Sequence, residues 1–417
     1  MTRLANTNIL VLSLPRHDER YTSTTWQISR ELALDNNVIL VDHPFTFTEL
    51  FKGPGKPEIR KRILAYFNKP VIEKEGVKVL LPPFVWPVNS LPKGGLYNFF
   101  SGLNHQMLAR RINRFLKKND IESLVYVNSF DFYFPGLGRK LAIKPALSVY
   151  HCIDPMVKPF TLRHGPYLEQ KAVEQSDMVI STAPALQKKF TDQGIENSFL
   201  VPNAANYKLF NKALAIKGAY HKSLAGIEGK VMGYLGNIER RTDFDLLHDV
   251  LEVLSDWHLV LAGPVEAAYV PEQVFDHPRI HFTGSCNHEE APSVMARFDV
   301  AIIPFKCDEV SQGIYPLKLY EYLAAGKPVV STNFNPEVLD SLGEVVEIGL
   351  TPEDFADKVL KAYASDDDEK QKQRALVASK NTWTHRAKQF GALIRSALEK
   401  QPKGNVAQRK DQKQPEA

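Results

Sequence analysis

Short apolar runs alternate with helical patterns along the chain, and this alternation restricts the fold more than any other feature. In the first half the runs lie at 8–13, 38–42, 77–81, 123–127, 147–150 and 178–182. A second series starts at Val231 and continues at 258–262, 279–282, 300–304 and 328–331. Apolar strands separated by helices are typical of parallel sheets with helices on both faces. The sequence therefore predicts an α/β protein with two doubly wound, Rossmann-like domains.

The restart of the strand series sets the predicted domain limits. We expect an N-terminal domain at 1–205, a linker at 206–230 and a C-terminal domain at 231–380. In such a fold, a helix at 381–400 returns to the first domain. The tail at 401–417 is rich in Gln, Lys and Pro, so we expect it to be disordered. With 417 residues and 44% apolar content, the chain can bury two sizeable cores.

Other features exclude several classes of protein. No apolar run approaches the roughly 20 residues that cross a bilayer, and the N-terminus predicts a strand rather than a signal peptide. We therefore expect a cytoplasmic protein. Its three cysteines, Cys152, Cys286 and Cys307, are far apart and form no CxxC pattern. This spacing favours neither a zinc site nor a disulfide framework, and we expect the three thiols to be reduced and buried.

Residues 313–332, GIYPLKLYEYLAAGKPVVST, place a lysine and a glutamate three residues apart on a short helix between a turn and a strand. Pro316 suits the first helical position, so the amides of the turn 311–315 are expected to face an anion beside Lys318. Glu321 lies one turn further along the same face and can accept both hydroxyls of a ribose. The motif predicts a diphosphate site with a ribose contact. The alternative is an ordinary amphipathic helix whose Lys318 and Glu321 form a surface pair.

A second part of this site is expected where the later strand series begins. The run 231–236 ends in a glycine and precedes a helical pattern, as at the start of a nucleotide-binding α/β unit. Asn237 follows that glycine, so the positive charge for a diphosphate is expected from Arg240 or Arg241. The alternative is that both arginines are solvated on a loop.

An acidic pair follows the same loop. Asp243 and Asp245 have the spacing of a metal-binding DxD motif. Both follow Thr242, which can cap a helix, so the two aspartates are better explained as acidic residues in the first turn of that helix. The sequence therefore favours a site without a metal.

Residues 316–330 resemble the P-x-K-x-x-E-Y-x-A-A-G-K-P-V-V signature of family 4 retaining glycosyltransferases of the GT-B fold, in the branch found in bacterial polysaccharide assembly. The resemblance implies two domains facing a cleft and transfer, with retention, of a sugar from a nucleotide diphosphate. In that family, the glutamate matching Glu321 binds the ribose and the amides before it bind the diphosphate. Many members carry another glutamate where this chain has Gly313, so the contact to the donor sugar departs from the pattern.

The resemblance also implies the substrates. The co-substrate would be a UDP- or GDP-linked sugar, with no cofactor and no metal, and the acceptor would be a hydroxyl of a lipid-linked glycan. The donor-binding residues expected are Gly236, Asn237, Arg240, Arg241, Gly313, Ile314, Tyr315, Lys318, Leu319 and Glu321.

The acceptor side is expected in the first domain. The segment 150–155 follows a strand and should lie at the carboxyl edge of the sheet, where α/β sheets bind ligands. It resembles a D- or H-bearing segment of related transferases, so His151 and Asp154 are candidates for a general base or an orienting residue. A buried histidine and a turn-capping aspartate explain them equally well. In the opening loop, 15–26, the residues Arg16, His17 and Asp18 are expected to meet the acceptor.

Charge is distributed unevenly. Basic residues exceed acidic ones by eight through Ala205, while acidic residues exceed basic ones by four in the remainder. The excess lies mainly at 52–118, beside the aromatic segments 82–88 and 96–100. Basic and aromatic loops together favour an anionic membrane surface, although they can equally cover the domain's core. No nucleic-acid-binding module accompanies the charge, so a nucleic-acid partner is disfavoured.

Two other functions stay open at this stage. A nucleotide-sugar 2-epimerase shares the fold and the donor contacts, but it needs carboxylates and histidines arranged for elimination, which the sequence does not reveal. A non-catalytic scaffold of a polysaccharide assembly complex is suggested by Gly313 and Asn237, which stand where charged residues are common. The presence of Lys318 and Glu321 argues against the scaffold.

Overall fold

The computed structural model describes residues 3–19, 22–53, 57, 59, 60, 63, 64 and 70–400. The chain forms two compact units. Among the described residues, the first unit contains those up to Ser181, Lys189–Val201 and those from Ala387 to Lys400. The second contains Thr182–Lys188 and Pro202–Arg386. The tail 401–417, for which disorder is predicted, lies outside the described residues.

An eight-stranded sheet forms the centre of the first unit. Its order is β3-β4-β2-β1-β5-β6-β7-β8, and all neighbours are parallel except β3 and β4. The strands are β1 Asn8–Ser13, β2 Asn37–Asp42, β3 Val71–Lys74, β4 Val77–Leu80, β5 Val125–Ser129, β6 Leu147–Cys152, β7 Met178–Ser181 and β8 Ser198–Leu200.

A six-stranded parallel sheet forms the centre of the second unit, in the order β11-β10-β9-β12-β13-β14. Its strands are β9 Lys230–Leu235, β10 Trp257–Ala262, β11 Ile280–Gly284, β12 Val300–Ile303, β13 Val329–Thr332 and β14 Glu347–Gly349.

The helices follow the strands in both units. They are α1 Thr24–Leu32, α2 Phe47–Lys52, α3 Gly95–Lys118, α4 Pro159–Leu162, α5 Gly165–Glu174, α6 Pro184–Thr191, α7 Tyr207–Phe210, α8 Phe244–Val253, α9 Glu272–Phe275, α10 Ala291–Met295, α11 Glu309–Gln312, α12 Leu317–Ala324, α13 Pro336–Leu339, α14 Pro352–Ala364, α15 Asp368–Lys380 and α16 Trp383–Lys400. Among the described helices, none combines the length and the apolar character of a bilayer-spanning segment.

Strand order determines where each sheet can bind a ligand. In the first sheet, successive strands are added in one direction from β1 and in the other from β5. In the second sheet, the same reversal occurs between β9 and β12. Ligands of open α/β sheets bind at the carboxyl ends of the strands beside such a reversal. The loops after β1, β5, β9 and β12 are therefore the places to look for functional side chains.

The prediction of two doubly wound α/β sheets is confirmed, with local differences. The short strands β3, β8 and β14 were not predicted. The aromatic segment 96–100, interpreted as a loop, belongs to the first turns of α3. The expectation of three buried cysteines is wrong, because only Cys152 is buried, whereas Cys286 is half-buried and Cys307 is exposed. All three are free thiols.

Candidate functional site

The loop before α12 is held by two asparagine side chains. Asn335 Nδ2 donates to the carbonyl oxygens of Gln312 and Ile314, both at 3.0 Å. Asn203 Nδ2 donates to the carbonyl oxygen of Tyr315 at 2.9 Å. Because these carbonyls are bonded within the second unit, the backbone that leads into α12 is fixed.

The start of α12 has no side-chain cap. The sequence analysis placed Pro316 at the first helical position. In the structure Pro316 is the N-cap, so it lies just outside the helix. The N–H groups of Gly313 and Ile314 donate to carbonyls of α11 at 3.1 Å, so the expectation that they face a ligand is wrong. The amides of Leu317 and Lys318, in the first helical turn, remain for an anion.

Lys318 extends from α12 across the end of β9. A methyl group added at Gly236 would lie 2.1 Å from Lys318 Cε and 2.5 Å from its Nζ. The Nζ atom lies 5.2 Å from the ring centre of Tyr234 and 5.5 Å from that of Phe305. These rings come from β9 and from the loop after β12, so Lys318 lies at the strand reversal of the second sheet.

Burial shifts the pKa values of Lys318 and Glu321 in opposite directions. It lowers the pKa of Lys318, and the positive charge of Arg241 lowers it further. Burial raises the pKa of Glu321, and the nearby Lys318 ammonium offsets part of that rise. Two ionisable groups in one partly buried place, with pKa values displaced toward neutrality, are typical of a binding or catalytic site.

The Glu321 carboxylate has no hydrogen bond and no ion pair within the described part of the chain. It is half-buried and lies one helical turn from Lys318. Buried polar groups normally have partners. The carboxylate is therefore free to accept hydrogen bonds from a ligand.

Each loop arginine has an acidic neighbour. Arg241 pairs with Glu239, and its guanidinium carbon lies 5.7 Å from the ring centre of Phe305. Arg240 Nη1 lies 3.9 Å from Asp308 Oδ2, and both side chains are more than a third exposed. Arg241 is thus the arginine that acts on Lys318, while Arg240 has the surroundings of a solvated surface residue.

The remaining predicted donor residues contribute backbone and packing. The side chains of Ile314, Tyr315 and Leu319 are buried, at 8%, 8% and 0% exposure. The carbonyl of Asn237 accepts from the Tyr234 hydroxyl at 2.8 Å. These residues shape the loops, and any contact of the first three with a ligand would come from their backbone.

The acidic pair after this loop belongs to α8. Asp243 is the N-cap and its Oδ1 accepts from the N–H of Leu246 at 3.2 Å. Asp245 lies in the first turn, as predicted. The expectation that Thr242 is the cap is wrong. The capping role accounts for the position of Asp243.

The candidate catalytic residues of the first unit differ in accessibility. His151 lies in β6 and is 2% exposed. Its Nδ1 lies 3.0 Å from Ser129 Oγ, its ring contacts Phe390 of α16, and burial lowers its pKa to about 3. This surrounding matches the alternative of a buried, neutral histidine. Asp154 is exposed just after β6. The catalytic role of either residue stays a prediction.

The predicted acceptor-side residues lie between the ends of β1 and β2. His17 Nδ1 lies 2.7 Å from Asp42 Oδ2, and the His17 N–H donates to Asp42 Oδ1 at 3.0 Å. Arg16 Nε donates to the carbonyl of His43 at 3.2 Å. Asp18 is exposed, and its carboxylate, His17 and Asp42 have possible metal-ligating atoms within 4.8 Å of one another.

Comparison with known proteins shows which family part of the second unit resembles. Residues 229–365 match the family model described as glycosyl transferases group 1. This segment contains the strand reversal, Lys318 and Glu321, and it is similar to the glycosyltransferase domains of that family.

One relative by sequence comes from Bacillus subtilis (strain 168), where its assignment as the teichuronic acid biosynthesis glycosyltransferase TuaH is provisional. The two are 30% identical over 201 residues, which is 44% of this chain and 50% of the relative. The chain thus spans about half the length of this curated relative.

Solved structures share the fold of most of the chain. Sucrose-phosphate synthase from Thermosynechococcus elongatus matches with a TM-score of 0.64 and 14% identity, covering 94% of this chain and 100% of that one. HepE from Anabaena, in complex with UDP and glucose, matches with a TM-score of 0.62 and 15% identity, covering 95% and 100%. The prediction of the GT-B fold is confirmed.

Several residues of these sites were missed by the sequence analysis. They are Asn203 and Asn335 in the second unit, and Asp42, His43 and Asp131 in the first. Asp42 ends a predicted strand and His43 follows it, which was an available signal. The asparagines carry no signal of their own, because their partners are backbone carbonyls distant in sequence.

Proposed function

We propose that this protein transfers a sugar from a nucleotide diphosphate to a hydroxyl group of a glycan. The observation that carries the proposal is the placement of Lys318 and the unpartnered Glu321 one helical turn apart, at the strand reversal of a segment similar to group 1 glycosyltransferases. The uncapped start of α12 and the Lys318 ammonium would bind the diphosphate, and Glu321 would accept the ribose hydroxyls.

The same groups would also stabilise the diphosphate as a leaving group. Negative charge develops on the diphosphate as the bond to the sugar breaks. Lys318, Arg241 and the amides of α12 stabilise it in place, without reorganisation of solvent. Retention of configuration is proposed from the resemblance to family 4 enzymes. The provisional teichuronic acid role of the relative supports cell-surface polysaccharide as the product.

Ligand binding by the full-length protein tests this function. We expect one of UDP, GDP, dTDP and CMP, or a common sugar conjugate of it, to bind in calorimetry and to raise the melting temperature. Binding should persist in EDTA, because the proposed contacts need no metal. Glu321→Ala should weaken it by about tenfold, through the loss of charge-assisted hydrogen bonds to ribose.

The outcomes separate the alternatives. Unchanged affinity in Glu321→Ala would show that the ribose assignment is wrong. Silence across the panel would favour a scaffold. Epimerisation of a bound nucleotide sugar at C2, in the absence of any acceptor, would make the protein a 2-epimerase.

We further propose that the first unit associates with an anionic membrane surface on the cytoplasmic side, where a lipid-linked acceptor would be available. Within 52–118, the described residues include Trp86 and Phe99, which are 43% and 61% exposed. Both rings contact Phe100, at centroid distances of 5.4 Å and 5.3 Å. Exposed basic residues of α3 add charge complementary to the lipid: Arg110, Arg114, Lys117 and Lys118.

Sedimentation with vesicles of anionic lipid tests this surface. The protein should sediment at low salt and be released at high salt, since each cation near the surface contributes about 1 kcal/mol that salt screens. Phe99→Asp should reduce binding severalfold. Leu376→Asp is the control, because Leu376 is similarly exposed, at 56%, but lies in the second unit. Equal sedimentation of the two variants would contradict the assignment.

A further inference from the structure

A second imidazole and carboxylate pair lies at the strand reversal of the first sheet. His43 follows β2, and its Nδ1 lies 2.9 Å from Oδ2 of Asp131, which follows β5. Strand β1 lies between β2 and β5, so the pair spans the carboxyl end of β1. Asp131 is fully buried, whereas the His43 side chain is 21% exposed. The ring is therefore anchored at one side and reachable at the other.

The anchor determines which nitrogen of the ring is available. An ionised carboxylate can only accept hydrogen bonds, so the Nδ1 atom of His43 carries the hydrogen that Asp131 receives. In the neutral ring this leaves a lone pair on Nε2. Nε2 of His43 makes no hydrogen bond within the described residues. Fixing one imidazole nitrogen so that the other is presented in a single state is a recurrent device of binding and catalytic sites.

Two more polar atoms beside this ring have no partner. Asp131 Oδ1 and the Tyr133 hydroxyl are buried and make no hydrogen bond in the described structure. The rings of His43 and Tyr133 are 5.6 Å apart. Burial, and then the Asp131 charge, raise the pKa of Tyr133 to about 12, so its hydroxyl keeps its proton. Unsatisfied buried groups in a native protein require an explanation such as a ligand or water.

The neighbouring unpartnered atoms of β5 have a different explanation. Tyr126 OH and Asn128 Oδ1 are also unpartnered. Both residues line a separate small cavity of about 10 Å³, together with Gly136 and Gly138. That volume suits one water molecule. The two atoms therefore belong to that cavity and are not counted as part of the site at His43.

We propose that His43, held by Asp131, is a hydroxyl-binding residue of the acceptor site, and that its Nε2 accepts a hydrogen bond from a sugar hydroxyl. The inference rests on the proposed glycosyltransferase function. It favours His43 over His17, whose side chain is only 9% exposed and whose Asp42 partner receives two hydrogen bonds from it. Unpaired acceptors at His43 and Asp131 match the hydroxyl donors of a carbohydrate.

Two variants of His43 separate this role from a structural one. His43→Asn keeps an N–H group near the position of Nδ1, so the link to Asp131 can survive, but it has nothing at the position of Nε2. His43→Gln places an amide oxygen near Nε2 and can still accept from a hydroxyl. The control is His248→Asn, on the surface of the second unit.

The probes are methyl glycosides of glucose, N-acetylglucosamine and glucuronic acid, titrated into full-length protein with labelled histidine. We expect one of them to shift the His43 Cε1–H resonance in NMR spectra saturably, with millimolar affinity. His43→Asn should weaken this glycoside at least about tenfold, whereas His43→Gln and His248→Asn should stay within about threefold of wild type. Melting temperatures check that all variants fold.

Nucleotide binding measured in the same samples distinguishes a failure of this inference from a failure of the proposed function. Nucleotide binding with no glycoside response at His43 overturns this inference and leaves the proposed function standing. So does full glycoside affinity in His43→Asn. Saturable broadening of the His43 resonance by Mn²⁺ alone would make the His43 and Asp131 pair a cation site, and this result would also overturn the inference. Absence of nucleotide binding rejects the proposed function itself.

Discussion

Lys318→Met will weaken binding of the nucleoside diphosphate by roughly 10- to 150-fold. The methionine keeps most of the side-chain length but removes the charge that lies over Tyr234 and Phe305 at the end of β9. A hydrogen bond to a charged group contributes about 1.5–3 kcal/mol, which corresponds to that range of affinity. Calorimetry with the nucleotide that binds best measures the change.

Lys327→Met is the matched control for this variant. Lys327 follows the other end of α12, and burial lowers its pKa to about 8. Its Nζ donates to the carbonyl of Ala296 at 2.9 Å. Removing this charge should change stability but leave nucleotide affinity within about twofold. A similar loss of affinity in both variants would mean that the effect of Lys318 is structural.

The pH dependence of affinity gives a second measure of Lys318. In the proposed donor site the ammonium form of Lys318 would bind the diphosphate, and burial holds its pKa below the ordinary value of 10.5. Affinity should therefore be complete below that lowered pKa and fall as the pH rises through it. The carboxylate form of Glu321 would bind the ribose, and burial holds its pKa above 4.5, so affinity should also fall as the pH drops through that raised pKa. Lys318→Met should lose the alkaline limb alone.

Gly236→Ala will reduce nucleotide affinity about as much as Lys318→Met. The added methyl group would lie 2.1 Å from Lys318 Cε, so the flexible lysine must leave its place across the end of β9. Gly236 also has a φ of 151°, which L residues rarely adopt, so the melting temperature should fall. Calorimetry and thermal unfolding measure the two effects separately.

Gly284→Ala and a double variant provide the controls. Gly284 also has a positive φ, 69°, but an added methyl group would meet nothing within 4 Å. Its substitution should lower the melting temperature without lowering the affinity for the nucleotide. Combining Gly236→Ala with Lys318→Met should cost no more affinity than either change alone, because both remove the same contact. Additive losses would show that Gly236 acts independently of Lys318.

The fold and the placement of Lys318 and Glu321 on one helix could be predicted because both are encoded locally. Parallel strands covered on both faces are continuous apolar runs, so most strands of both sheets are visible in the sequence. The three-residue spacing of Lys318 and Glu321 places them on one helix face without any tertiary information. Short edge strands such as β14 carry too few apolar residues to be recognised.

The remaining features depend on strand order and burial. His43 and Asp131 are 88 positions apart and meet only because β2 and β5 flank β1. The carbonyls that Asn335 binds lie over 20 residues away in the chain. The sequence leaves open whether His151 is buried, and the burial that lowers its pKa comes from the packing of β6. Pairings between distant segments therefore set the limit of what one sequence reveals.

The unequal accessibility of the three thiols offers a means of observing the proposed donor site directly. Cys307 is exposed and lies two residues after Phe305, whose ring centre is 5.5 Å from Lys318 Nζ, while Cys152 is fully enclosed. Burial of the thiol raises the pKa of Cys307, so a maleimide fluorophore would need mildly alkaline buffer to react. With Cys286 replaced by serine, a single dye at Cys307 would report nucleotide arrival in real time, without any knowledge of the acceptor.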